Sequence, residues 1–276
     1  MRKIILLLAL LAQITCYGQA PNEILFRVHY NPEKTYNRVA VQDSKIIMRY
    51  KGSNEILKVL KEQGLENPTI KEKTSSTETI LKTGKLIDSS SFPLVMEMVK
   101  IETNEKSSID LNGMLIYGRG YFTRPITFDS IHSASLTEKD KDFLLPVLQK
   151  LFSQLNFPEK TLKIGDTMMV ESPISIPVAS MNIEMNITTV YKLISIKNGK
   201  ANFDVSQFYT MKSVIKKYPM EGTGSGKGSL VYDINENYYI SLNVDSEMKL
   251  NLQMESVGLE LTSKSRLSQK SQIAKN

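Results

Sequence analysis

Over residues 240–254 every second position is apolar: Ile240, Leu242, Val244, Met248, Leu250, Leu252 and Met254 share one parity, broken only by Ser246. The residues between them, Ser241, Asn243, Asp245, Glu247, Lys249, Asn251 and Gln253, are polar. Successive side chains of a strand point to opposite faces, so this pattern builds one buried face and one wet face. Wound as a helix, it would scatter both sets around the surface. The parity changes after Met254, to Val257, Leu259 and Leu261, which calls for a bulge or turn near 256–258. Ile183, Met185 and Ile187 repeat the alternation, with Tyr191 on the same side.

Further strands are expected over 23–30, 36–50, 90–102, 109–117, 120–129, 167–172, 201–210 and 229–234. Turn signals separate several of them: Asn31-Pro32, Asn112-Gly113, Asn198-Gly199 and Asn235-Glu236-Asn237. Consecutive strands with short connections imply an antiparallel meander, and no βαβ alternation points to a parallel sheet.

Two helices are expected. The first covers 54–63, with Ser53 as its cap and Gly64 as its stop. The second lies within 135–158, where Ser135-Leu136-Thr137-Glu138 fits a capping box. Leu144, Val147, Leu148, Leu151, Phe152 and Leu155 then form one stripe at helical spacing, which predicts packing against a sheet. Pro146 requires either a kink or a start near Leu145, and Pro158 marks the stop. Residues 64–91 are polar and read as a long loop or exposed hairpin. The last dozen residues are polar and lysine-rich and read as a fraying tail.

The expected fold is therefore mainly β with minor α: a curved antiparallel sheet or half-barrel, with one long helix packed on it. Its organisation reads as a leader at 1–18, a β-rich half at 19–134, a helical segment at 135–158, a second β-rich half at 159–264 and a flexible tail at 265–276. The two halves are of similar length, which suggests related halves, although no residue-level repeat links them.

The leader constrains the chemistry. Met1-Arg2-Lys3 is a short basic start, Ile4 to Ala12 is apolar, and a polar stretch then ends at Cys16-Tyr17-Gly18. This is the layout of a secretory signal peptide, and the apolar run is too short to span a membrane. Cleavage after Gly18 is expected, with export to the periplasm or beyond and no transmembrane segment left. Lipid anchoring at Cys16 is the alternative, but Gln13 and Thr15 do not fit a lipobox. Cys16 is the single cysteine, so cleavage removes disulfides, thiol nucleophiles and thiolate metal sites together. The chain carries 35 basic and 29 acidic residues, a net charge of +6, and loses Arg2 and Lys3 with the leader. The charges are interspersed, which argues against a nucleic-acid partner.

No residue pattern specifies catalysis, a cofactor or a metal. Gly222-Thr-Gly-Ser-Gly-Lys-Gly-Ser229 resembles a phosphate loop, but the required first glycine falls on Glu221, Gly228 follows the lysine, and a strand follows instead of a helix. The run reads as a glycine-rich strand entry where backbones approach closely. His29 and His132 read as structural. There is no Gly-x-Ser-x-Gly elbow and no His-Glu-x-x-His, and no spacing singles out a pair among the carboxylates. The 13 methionines suit gap-filling in a β core or an adaptable apolar cavity.

A Phe157-Pro158 and Lys163-Ile164-Gly165-Asp166 junction, followed by Gly224, Gly226 and Gly228 ahead of Val231-Tyr232-Asp233, resembles secreted β-rich proteins of unknown function from Gram-negative bacteria. More distantly, the layout looks like the half-barrels of periplasmic lipoprotein carriers. That resemblance implies an apolar ligand between sheet and helix and brings no catalytic residues. The resulting expectation is a non-enzymatic envelope protein holding a lipid or other apolar molecule, with Leu148, Leu151, Phe152, Met185, Leu250 and Leu252 as the lining. The alternatives are an assembly factor that binds another envelope protein at a sheet edge, and a carboxylate-based hydrolase.

Overall fold

A computed structural model of the chain describes residues 22–105, 110–153, 158–178, 181–212, 220–254 and 256–276. Residues 1–21, which include Cys16 and the expected leader, lie outside them, as do Leu155 and the side chain of Leu151.

Among the described residues, thirteen strands and two helices follow one another. They are β1 (Glu23–Phe26), β2 (Lys34–Lys51), α1 (Asn54–Glu62), β3 (Thr69–Thr83), β4 (Ser91–Thr103), β5 (Met114–Tyr121) and β6 (Thr127–His132). Then come α2 (Glu138–Ser153), β7 (Lys160–Lys163), β8 (Thr167–Val178), β9 (Met181–Lys197), β10 (Lys200–Lys212), β11 (Met220–Asp233), β12 (Tyr238–Met254) and β13 (Val257–Lys275). Eleven strands form one curved, unclosed antiparallel sheet in the order β6-β5-β4-β3-β2-β13-β12-β11-β10-β9-β8, and β1 pairs with β7 as a separate ribbon. The strands before and after α2 thus share one continuous sheet, joined where β2 pairs with β13 along its length. The turn that the parity change requires separates β12 from β13. Asn198 and Gly199 both take positive φ, 51° and 71°, which gives the two-residue turn that joins β9 to β10.

One sheet face is covered, and its apolar rows follow the alternation. On β12, Val244, Leu250 and Leu252 are buried while Asp245, Lys249 and Asn251 face water. Over the C-terminal strands, Ile24 and Phe26 of β1 and Leu162 of β7 pack on Leu193, Phe203, Leu230 and Tyr232. Over the N-terminal strands, α2 sets Phe152, Leu144 and Leu148 against Phe128, Ile131 and Ile116. A third cluster, at the far end of the long strands, joins Met185, Met220, Leu250, Leu252 and Leu259.

Four expectations need correction. Residues 265–276 are not a flexible tail: β13 continues to Lys275, paired with β2 throughout, and the Asn276 amide donates to the Thr83 carbonyl at 2.7 Å. Central position in the sheet satisfies its backbone on both sides, so the strand needs no apolar alternation to hold. Most of 64–91 is likewise strand, because β3 is paired on one side with β2 and on the other with β4. The glycine run lies inside β11, which begins at Met220 rather than at Ser229. The cap of α2 sits two residues later than the capping box read from sequence. Thr137 and Asp140 make the reciprocal pair, with Asp140 N donating to Thr137 Oγ1 at 3.3 Å and Thr137 N to Asp140 Oδ2 at 3.1 Å. Pro146 lies inside the helix. Ser53 caps α1 as expected, accepting from Ile56 N at 3.5 Å, but α1 buries no residue.

Every second residue of the glycine run in β11 is glycine and faces the covered side. A Cβ on Gly228 would stand 1.9 Å from the Asn243 carbonyl oxygen, so the neighbouring backbone excludes any side chain there. At Gly222 the space is filled by the thioether of Met211 and by Leu250. The glycines therefore let the flanking strands close over β11, and no helix follows to make a phosphate site.

Candidate functional site

The two covered cores are separated by a polar band. On β2 the inward positions run Tyr36, Arg38, Ala40; in register, Ser271 of β13 lies on one side of Arg38 and Thr79 of β3 on the other. Ser271 and Thr79 are both buried, and so is Gln269 beside Ala40. Arg38 Nε donates to Thr79 Oγ1 at 3.3 Å, and the guanidinium also meets the Tyr239 hydroxyl.

Above this band lies a cavity of about 420 Å³. Its floor is Arg38 with Tyr238 and Tyr239 at the start of β12. One wall is the segment after β1, from Arg27 to Tyr30. The opposite wall is the β5–β6 connection from Tyr121 to Ile126. Phe152 of α2 and Pro158-Glu159 complete it. The helix is held in place by Gln149, which caps the β6 edge: Phe128 N donates to Gln149 Oε1 at 2.8 Å and Gln149 Nε2 donates to the Ile126 carbonyl at 3.0 Å.

The walls are aromatic and cationic. Tyr238 stacks on Tyr239 with 4.7 Å between ring centroids, and Tyr30 meets Tyr36 edge to face at 4.9 Å. Burial pushes the Tyr30, Tyr36 and Tyr238 phenols above their ordinary value, so these rings stay neutral. Three guanidiniums reach the cavity: Arg38, Arg27, whose Nε donates to Asn237 Oδ1 at 3.1 Å, and Arg124, which lies over the Tyr121 ring at 3.6 Å. The single carboxylate in the lining is Glu159, which is exposed. Among the described residues, none of the three arginines forms an ion pair.

His29 also lines the cavity. Its Nε2 lies 3.1 Å from Asn31 Oδ1, and its Nδ1 is buried without a partner in the protein. Burial, followed by the nearby Arg27 charge, lowers its pKa below 6.5, so the neutral Nε2–H tautomer is assigned. Gln269 Nε2 and Ser271 Oγ are buried and unpartnered as well.

Of the residues expected to line a ligand site, Phe152 lines this cavity. Leu148 packs beside it in the core under α2. The Leu151 side chain lies outside the described residues. Met185, Leu250 and Leu252 do not join them: they meet one another at the far end of the sheet. Hydrophobic patterning passed over Arg27, Arg38, Arg124 and the Tyr238-Tyr239 pair. The signal available was Arg38 itself, a charge at an inward position of a strand.

Comparison with known protein families and with curated proteins matches the chain to none of them.

Proposed function

We propose that the protein is a non-enzymatic, exported envelope protein that binds an apolar or amphipathic small molecule between its sheet and α2. The observation that carries the reading is the cavity of about 420 Å³ at that junction, walled by Phe152, Phe122, Tyr238 and Tyr239. Its volume falls in the range of small-molecule sites, about 300–1,000 Å³, and its lining sets aromatic rings beside a few charged groups. The half-barrel resemblance leads to the same expectation by fold analogy.

The two alternatives find less support. Strand addition needs an open edge. Gln149 occupies backbone groups of β6, and β8, the other edge, carries Pro173 and Pro177, which interrupt a donor row. A carboxylate hydrolase calls for an acid with a raised pKa. Among the described residues, the carboxylates whose pKa moves, Glu55, Glu72, Asp88 and Asp140, all move down. Among the described residues no helix is long and apolar enough to cross a membrane.

Native mass spectrometry of the protein purified from its own envelope tests the reading. One added mass, lost on denaturation and identified as an apolar or amphipathic molecule, supports it. A bare chain that also fails to take up added fatty acid or alcohol contradicts it.

A further inference from the structure

The cavity holds more cationic charge than its protein neighbours answer. Arg38 is at its floor, on the covered face of the sheet, with hydroxyl groups as its protein partners. Arg27 hydrogen-bonds to an amide oxygen and Arg124 stacks on a phenol. A guanidinium keeps its charge at every pH the protein meets, and the buried tyrosines beside it stay neutral. A charge withdrawn from water without a counter-charge destabilises the fold that holds it. The planar fork of arginine matches carboxylate and phosphate oxygens in a bidentate geometry. The rest of the lining includes the rings of Tyr30, Tyr121, Phe122, Phe152, Tyr238 and Tyr239.

We infer that the ligand is an anionic amphiphile whose acid group sits on Arg38, with Arg27 and Arg124 at the wall, and whose apolar body lies against Tyr239, Phe122 and Phe152. The inference rests on the binding reading above and adds its chemical class. Carboxylate and phosphate head groups share the recognition; a free inorganic anion lacks the body that the aromatic wall would hold. Arg38 is thereby retained for binding at a cost to the empty fold.

Binding of laurate, dodecyl phosphate, dodecanol and inorganic phosphate to the exported protein, stripped of endogenous ligand, tests this by calorimetry. Laurate and dodecyl phosphate are expected to bind roughly 10- to 100-fold more tightly than dodecanol, the range of one charged hydrogen bond. Inorganic phosphate is expected to bind far more weakly than dodecyl phosphate. In Arg38→Met, laurate should fall to the level of dodecanol while dodecanol is unchanged, and the empty variant should melt at a higher temperature than the parent. Arg38→Lys should restore part of the preference, and Arg266→Met on the solvent face should leave it intact. Where Arg38→Met does not fold, Arg27→Met carries the same comparison. Dodecanol matching laurate overturns the anionic class and leaves an apolar site standing, and a preference that survives Arg38→Met undiminished overturns the seat of the acid group on Arg38. Inorganic phosphate matching dodecyl phosphate keeps the anion site and overturns the apolar-ligand reading, and binding of none of the four overturns both.

Discussion

Tyr36 and Tyr50 stand on the same strand and the same face of the sheet, yet they belong to differently built ends of the molecule. At the Tyr36 end, α2 and the β1–β7 ribbon lie over the sheet and close two cores with side chains brought from elsewhere in the chain. At the Tyr50 end, the cluster of Met185, Met220, Leu250, Leu252 and Leu259, with Met48, Met211 and Met248 around it, is built from sheet residues alone. There Gly222 of β11 makes room, and the flexible Met211 thioether fills it beside Leu250. An alternating strand can thus bury its apolar face under a second layer or under its own neighbours. The cavity over Arg38 lies at the layered end, where the polar band of Arg38, Ser271 and Thr79 runs between the two cores.

The contrast is testable by its costs. Phe26 of the ribbon is fully buried against the sheet, its ring centroid 5.1 Å from that of Phe203 and 4.9 Å from that of Tyr232. Phe26→Ala should cost about 3–5 kcal/mol in chemical denaturation. Leu250→Ala, at the far end, should cost about 2–3 kcal/mol, the low side of its class, because neighbouring methionines can move in. Equal losses would remove the distinction between rigid and adaptable packing.

Glycine substitutions sharpen the same point. Gly228→Ala drives a methyl into the Asn243 carbonyl and should cost about 1–3 kcal/mol or more. Gly222→Ala meets the Met211 thioether at 3.0 Å from its methyl, which can swing away, so its cost should stay well under that of Gly228→Ala. A reversed order would mean that the thioethers are fixed.

The layered end should also be the acid-sensitive one. The folded pKa of His29 is below 6.5, lowered first by burial and then by Arg27. The unfolded chain then binds this proton more readily, so the contribution is full above pH 6.5 and is lost as pH falls through the folded value. His29→Gln should flatten the decline of melting temperature in that window; an unchanged slope would contradict the assignment. The Asp88 carboxylate, held at about 2 by the Ser91 hydroxyl and by Ser90, acts only below 3.8 and does not overlap it. The smallest effect is expected on the wet face, where Arg266 meets Asp245 at 2.7 Å with both side chains mostly exposed. Arg266→Ala should change stability by about 0.5 kcal/mol or less in neutral buffer, and less still at high salt.

How far the sequence reveals this depends on what occupies the inward positions. β12 and β9 carry apolar residues there and were readable as strands. β13 carries Ser263, Ser265, Gln269 and Ser271 inward, so its alternation vanishes and it resembles a tail, although two long neighbours hold its backbone. β3 is hidden in the same way, and β11 puts glycines where apolar residues would show the period. The helix stripe was readable, but its cap depends on whether Ser135 or Thr137 starts the turn. The cavity was the least readable feature. Arg38 and Tyr239 are about two hundred positions apart in the chain, and only the pairing of β2 with β13 brings them together.

The most direct test of the account is the ionisation of a bound acid. Laurate labelled with ¹³C at its carboxyl group, bound to the protein and titrated by NMR, reports that atom alone. Contact with the Arg38 guanidinium predicts a midpoint about 1–3 pH units below that of the free monomeric acid. A midpoint at or above the free value, as burial against aromatic rings alone would give, would contradict it.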